Sequence, residues 1–167
     1  MLHVAPEPCL EVLLRGHSGL NYITADLFDP HAMVRMDVVN IPFPSDRFDV
    51  LLCSDVLLDV LDDRRALSEF FRVLRPSGWA IILEHIQANP TFEDASIVDP
   101  VDRLREYGHH DHVRRYGPDF IDRVIEAGFT VEAIAPHEFI TPLELPLCGM
   151  TKSADDIYYC VKPKSDE

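Results

Sequence analysis

The run Phe48-Asp49-Val50-Leu51-Leu52-Cys53 is apolar almost throughout. A strand of this kind needs cover on both faces of its sheet, since a half-exposed strand would alternate apolar and polar residues. From Asp62 to Leu74, apolar residues at Leu67, Phe70, Phe71 and Leu74 repeat at three-to-four spacing, which predicts an amphipathic helix with Asp62 as its cap. Leu74-Arg75-Pro76-Ser77-Gly78 reads as the helix end and turn, with Gly78 as stop, and Trp79 to Leu83 as a second buried strand. Buried strand, helix, buried strand is the repeating unit of a mostly parallel sheet with helices on its faces.

The rest of the chain extends that pattern. Leu2 to Ala5 is a short strand; Pro8 suits a first helical turn, and Leu10, Val12, Leu13 and Leu14 give a helix ending near Gly16. Asn21 to Ala25 is a second strand, closed by Asp26, and Ala32 to Val38 a third. The stretch between them is too short for a crossover helix. Residues 89–117 are polar, with a short helix around Val101 to Tyr107. Pro118 to Ala127 is a helix stopped by Gly128, and Thr130 to Ile134 and Ile157 to Val161 are strands. The expected fold is a single Rossmann-like α/β domain over residues 1–167, with about seven mostly parallel strands and the last one antiparallel.

Charge narrows the partners. Against 29 Asp and Glu stand 15 Lys and Arg, a net of -14. That surface repels phosphate backbones, so nucleic acid is disfavoured, while a small ligand in a local pocket is not. The apolar runs are too short to cross a bilayer, and residues 1–7 lack the basic start and apolar core of a signal peptide. Cysteines at 9, 53, 148 and 160 form no Cys-x-x-Cys pair, which fits neither a disulfide framework nor a zinc ribbon and suits a reducing cytoplasm. Cys9 and Cys53 read as small core residues rather than nucleophiles.

In open α/β sheets ligands bind beyond the carboxyl ends of the strands, where the strand order switches. Those ends read Ala5-Pro6-Glu7, Asp26, Asp37, Ser54-Asp55 and Glu84-His85. An acid after the second strand suits a pair of ribose hydroxyls, and one after the third can accept from an adenine amino group. The order from Met36 to Glu84 (acid after a strand, Pro-Phe-Pro turn, Phe48-Asp49-Val50, helix, Leu74-Arg75-Pro76-Ser77-Gly78, strand) resembles a class I S-adenosylmethionine-dependent methyltransferase of the type 11 group. The resemblance implies S-adenosylmethionine as cofactor and a small-molecule methyl acceptor. It places Ala5, Pro6 and Glu7 in the first cofactor loop, Asp26 on the ribose with Leu27 beside the adenine, Asp37 and Val38 at the adenine, and Cys53 and Ser54 toward the methionine portion.

The chain departs from the family in three places. Its first loop, Val4-Ala5-Pro6-Glu7-Pro8-Cys9, has no glycine and is similar to an Ala-Pro-Glu variant of one branch. Asp55-Val56-Leu57-Leu58-Asp59 stands where family members often carry His-x-x-Glu-His. No helical sequence precedes the first strand, so the cofactor cleft is expected to be closed by residues 89–117 acting as a lid, by a second copy of the chain, or by an upstream domain. Tyr107-Gly108-His109-His110-Asp111-His112-Val113-Arg114-Arg115-Tyr116-Gly117 resembles a lid string of the same branch, with His109, His112, Arg115 and Tyr116 as its working residues. Its histidines lie on one loop with no distant Cys-His pattern to complete a tetrahedron, so the expectation is no metal. If the acceptor must lose a proton, His109, His112 and Asp55 are the candidate bases. Two other functions remain: a degenerate module that binds without turnover, and a nicotinamide oxidoreductase. The second fits poorly, because no Gly-x-Gly-x-x-Gly follows any strand.

Overall fold

The structure is a computed structural model that describes residues 1–141, 143–144 and 156–164. Cys148 lies outside the described residues; Cys9, Cys53 and Cys160 are free thiols. The elements run β1 (Leu2–Val4), α1 (Pro8–Arg15), β2 (Ile23–Asp26), β3 (Val34–Arg35), β4 (Phe48–Ser54), α2 (Asp63–Val73) and β5 (Leu74–Leu83). Then follow β6 (Phe92–Glu93), α3 (Pro100–Tyr107), β7 (Arg114–Arg115), α4 (Phe120–Glu126), β8 (Thr130–Ile134) and β9 (Ile157–Val161). The main sheet has seven strands in the order β3-β2-β1-β4-β5-β9-β8, and β6 and β7 pair separately. All its ladders are parallel except those of β9, which runs antiparallel to both β5 and β8. The chain leaves β1 toward β2 on one side and later places β4 on the other, so the order switches between β1 and β4.

Local chemistry explains the elements. The Asp62 carboxylate accepts the Arg65 N–H at 2.9 Å and caps α2, whose Ala66, Leu67, Phe70 and Val73 are buried on one face. These residues pack against Leu51 and Cys53 of β4 and Leu2 and Val4 of β1 in one continuous core. No helix among the described residues is long and apolar enough to cross a membrane.

Two expected elements differ. The third strand is only Val34–Arg35, because its ladder to β2 holds two residue pairs before the chain turns at Met36. Gly78 is not a helix stop. It lies inside β5, where Leu74 already pairs with Phe48 and the ladder resumes at Trp79 after an irregularity. A Cβ there would sit 2.8 Å from the Arg75 carbonyl oxygen and 3.0 Å from that of Asp49, so close backbone approach is what requires the glycine.

Candidate active site

A cleft of about 460 Å³ opens at the carboxyl ends of the strands around the switch point, within the size range of small-molecule sites. β1 ends in Val4, with Ala5 directly after it; β2 ends in Asp26, followed by Leu27 and Phe28; Met36 to Val39 follow β3. The far wall is the coil after β4, with Asp55, Val56 and Asp59 to Asp62. Phe28 and Leu61 stand exposed on its rim.

Each wall is held by identifiable contacts. Asp26 Oδ1 accepts the N–H groups of Phe28 at 2.6 Å and Asp29 at 2.7 Å, which turns the chain directly after β2. Asp37 Oδ1 accepts the Val39 N–H at 3.1 Å. The turn beyond is clamped from α2: Glu69 accepts the Ile41 N–H at 2.9 Å, and Arg72 donates to the carbonyls of Phe43 at 2.8 Å and Ile41 at 2.9 Å.

Ala5 has φ 46°, in the left-handed region. This is the conformation that glycine normally supplies in such a loop, so the backbone bend is present without the residue type. Glu7 turns away to His3. The buried His3 imidazole lies 2.7 Å from Glu7 Oε2 through Nε2 and 2.7 Å from the Tyr22 hydroxyl through Nδ1. Burial raises the Tyr22 phenol to about 12.

The coil after β4 is held from beneath and from the side. Glu84, at the end of β5 and 2% exposed, accepts the Leu57 N–H at 2.8 Å through Oε1, while Oε2 makes no hydrogen bond. Burial pushes this carboxyl up to about 8, against the opposing pull of the Leu57 amide. Arg114 donates to the carbonyls of Leu57 at 2.6 Å, Val60 at 2.5 Å and Leu61 at 3.0 Å. The Val113 N–H donates to the Leu58 carbonyl at 2.9 Å. Sequence reasoning noted Glu84 as a strand-end acid but gave it no role; a lone acid closing an apolar strand was the available signal.

The structure therefore sorts the sequence-derived site residues. Ala5, Asp26, Leu27, Asp37, Val38 and Asp55 line the cleft; Pro6, Glu7, Cys53 and Ser54 do not. Cys53 is a core residue, and burial drives its thiol well above the usual range. Ser54 donates to Asp55 Oδ2 at 3.4 Å, and Asp55 lies 3.6 Å from His85 Nε2. His109, His112, Arg115 and Tyr116 also stay outside the cleft lining. Tyr116 is fully buried against Phe120, with its hydroxyl on Asp63 at 2.6 Å, so it is structural rather than a lid contact. Arg115 stacks over Phe92 on the small antiparallel β6–β7 ladder. His112 Nε2 instead faces Asp59 Oδ1 at 3.8 Å, beside the cleft's outer wall.

Known proteins match this arrangement. Residues 17–82 fit the model of a family described as a methyltransferase domain. A ubiquinone/menaquinone biosynthesis C-methyltransferase, UbiE, of Vibrio campbellii is 29% identical over 121 residues, covering 72% of this chain and 42% of that protein. Over these stretches the chain is similar to methyltransferase domains. It spans less than half the length of such curated relatives; the UbiE of Geobacter sulfurreducens is 48% identical over only 44 residues, 17% of its length. Among solved structures, a methyltransferase of Haloferax volcanii in complex with the Trm112 activator superposes with a TM-score of 0.66 at 15% identity, over 99% of this chain and 82% of that one. A methyltransferase-fold protein of Bacillus halodurans gives 0.61 at 16% identity, over 98% and 90%. These likenesses establish the fold.

Proposed function

We propose that the chain binds S-adenosylmethionine in the cleft and transfers its methyl group to a small-molecule acceptor. The observation that carries this reading is the pair of acids, Asp26 and Asp37, at successive strand ends around the switch point, both lining one cleft. The lining supports this reading: we assign Asp26 to the ribose hydroxyls and Asp37 to an adenine amino group, with Leu27, Met36 and Val38 as apolar contacts for the ring. The left-handed bend at Ala5 lets the first loop turn under the ligand as a glycine loop would.

S-Adenosylmethionine supplies a methyl carbon already activated by its sulfonium. The protein's part is then to bind, orient and exclude water. Val56, Val60 and Leu61 make the acceptor side of the cleft apolar, and Asp55 is the strand-end carboxylate that can take a proton from an acceptor there. A small-molecule acceptor, rather than nucleic acid, agrees with the net charge of -14, and we read the location as cytoplasmic. The unclosed rim at Phe28 and Leu61 supports a cover from another copy, an upstream segment or a partner.

Calorimetry with S-adenosylhomocysteine tests the reading. Wild type is expected to bind, and Asp26→Ala to lose about 1–3 kcal/mol, the scale of a charge-assisted hydrogen bond. Equal affinity for both proteins removes Asp26 from the site. Binding without methylation of any acceptor favours the alternative, a module of this fold that holds the cofactor without turnover.

A further inference from the structure

Asp59, His109 and His112 come from two distant stretches of chain, yet one ligand atom of each lies within 4.8 Å of the other two. We propose that they form a binding site for a single divalent transition-metal ion, of the two-histidine, one-carboxylate type, on the outer wall of the cleft. The sequence offers no distant Cys-His pattern to join the loop histidines; the fold instead brings a distant carboxylate, Asp59, to them.

Histidine chemistry points the same way. The His112 Nδ1 lies 3.4 Å from the Tyr107 carbonyl, which can only accept, so Nδ1 carries the hydrogen. In the neutral ring, Nε2 is then a bare lone pair, and it faces Asp59 Oδ1 at 3.8 Å. Two acceptors in that position need a cation between them, either a proton on the ring or a metal ion. A histidine whose far nitrogen donates to a backbone carbonyl is the usual arrangement of a metal ligand. Bonds of about 2.0–2.2 Å at tetrahedral angles place ligand atoms about 3.4 Å apart, so the group must contract modestly. The rings of His109 and His112 already lie 4.9 Å apart between centroids. His109 is held by one long contact, the Asp111 N–H at 3.3 Å on its Nδ1.

The backbone on both sides is fixed. Asp59 sits between Leu58, whose carbonyl accepts the Val113 N–H, and Val60, whose carbonyl accepts from Arg114. His112 precedes those same donors in the chain. Nitrogen and oxygen donors in this number select a borderline ion such as zinc, cobalt or nickel over magnesium. Three protein ligands leave coordination positions open, and Asp59 also lines the cleft, so an acceptor hydroxyl or carbonyl can reach the ion.

The test uses untagged protein stripped with a chelator, titrated with Zn²⁺ by calorimetry and with Co²⁺ by visible absorption. One equivalent is expected to bind. Asp59→Asn, His109→Ala and His112→Ala should each weaken it by at least about tenfold. His110→Ala is the control, because His109, His110 and Asp111 also cluster on the loop alone. It should leave affinity within about twofold. No saturable binding overturns the proposal, as does binding that survives Asp59→Asn or falls equally with His110→Ala. His112→Gln, which keeps a polar side chain of similar reach, guards against a folding defect in the alanine variant. Affinity for S-adenosylhomocysteine on the same preparations is a separate outcome, so failure of one reading does not decide the other.

Discussion

Asp63 and Glu93 give their oxygens to arginines, whereas Asp26 and Asp37 give theirs to backbone amides. Asp63 Oδ2 accepts from Arg123 at 2.7 Å and from the Tyr116 hydroxyl at 2.6 Å, and Glu93 takes Arg114 at 2.9 Å and Arg123 at 3.0 Å. Two acids and two arginines balance in a mostly buried knot that ties the 89–117 segment to α2 and α4. At the cleft, among the described residues, no cationic side chain pairs with Asp26 or Asp37, and both bonds at Asp26 fall on Oδ1. The difference separates acids paired with cations inside the fold from acids that line the cleft and accept only from backbone amides.

The largest expected effect breaks the first region. Asp63→Ala removes the closest partner of both Arg123 and the Tyr116 hydroxyl, leaving Arg123 on Glu93 alone, and should cost about 3–5 kcal/mol in urea denaturation. A loss under about 1 kcal/mol would mean the knot does not hold the fold.

Glu84 tests the boundary between the regions, since it is buried yet has no arginine. Its carboxyl stays neutral in the fold up to about 8, against 4.5 ordinarily. Between those values the unfolded chain has released the proton and the folded chain has not. Stability contributed by this group is therefore full below about pH 4.5, falls as pH rises toward 8, and is flat above, a change of a few kcal/mol. Glu84→Gln retains an acceptor for the Leu57 N–H and should flatten the slope of urea midpoints across that window. An unchanged slope assigns the pH dependence elsewhere.

The second region is sharpened by Asp37→Ala. Affinity for S-adenosylhomocysteine should fall by about 1–2 kcal/mol while stability changes by less than about 1 kcal/mol, the inverse of Asp63. Stability falling more than affinity would make Asp37 a turn residue only. The smallest effect is at the first loop: Ala5→Gly relieves the left-handed strain and should leave stability unchanged or up to about 1 kcal/mol higher, whereas Ala5→Val should lower it. Thermal melts that rank valine above glycine would contradict that backbone bend.

Much of this fold is legible in the residues. α2 with its Asp62 cap and β9 fall where periodicity places them, because each has a buried face that one pattern specifies; β8 also falls in place, with Val131 and Ile134 only partly buried. Gly78 misleads because a glycine required by close backbone approach within a strand carries the same letter as one that stops a helix. In the site, Asp26, Asp37 and Asp55 are readable because strand ends converge in any parallel sheet. The meeting of Asp59 with His112, and the burial of Tyr116, depend on where residues 89–117 dock, which no local pattern encodes.

The coil after β4 has little regular structure of its own, yet three of its carbonyls end on one guanidinium, that of Arg114. Such a wall cannot fray residue by residue. It moves only when Arg114 lets go, and Arg114 is anchored through Glu93 to the same knot that secures Tyr116. Amide hydrogens behind that wall should exchange with solvent on the timescale of the entire fold opening, as those of a central strand do, rather than at the speed of a surface loop. The shape that meets a ligand is in this sense set before the ligand arrives.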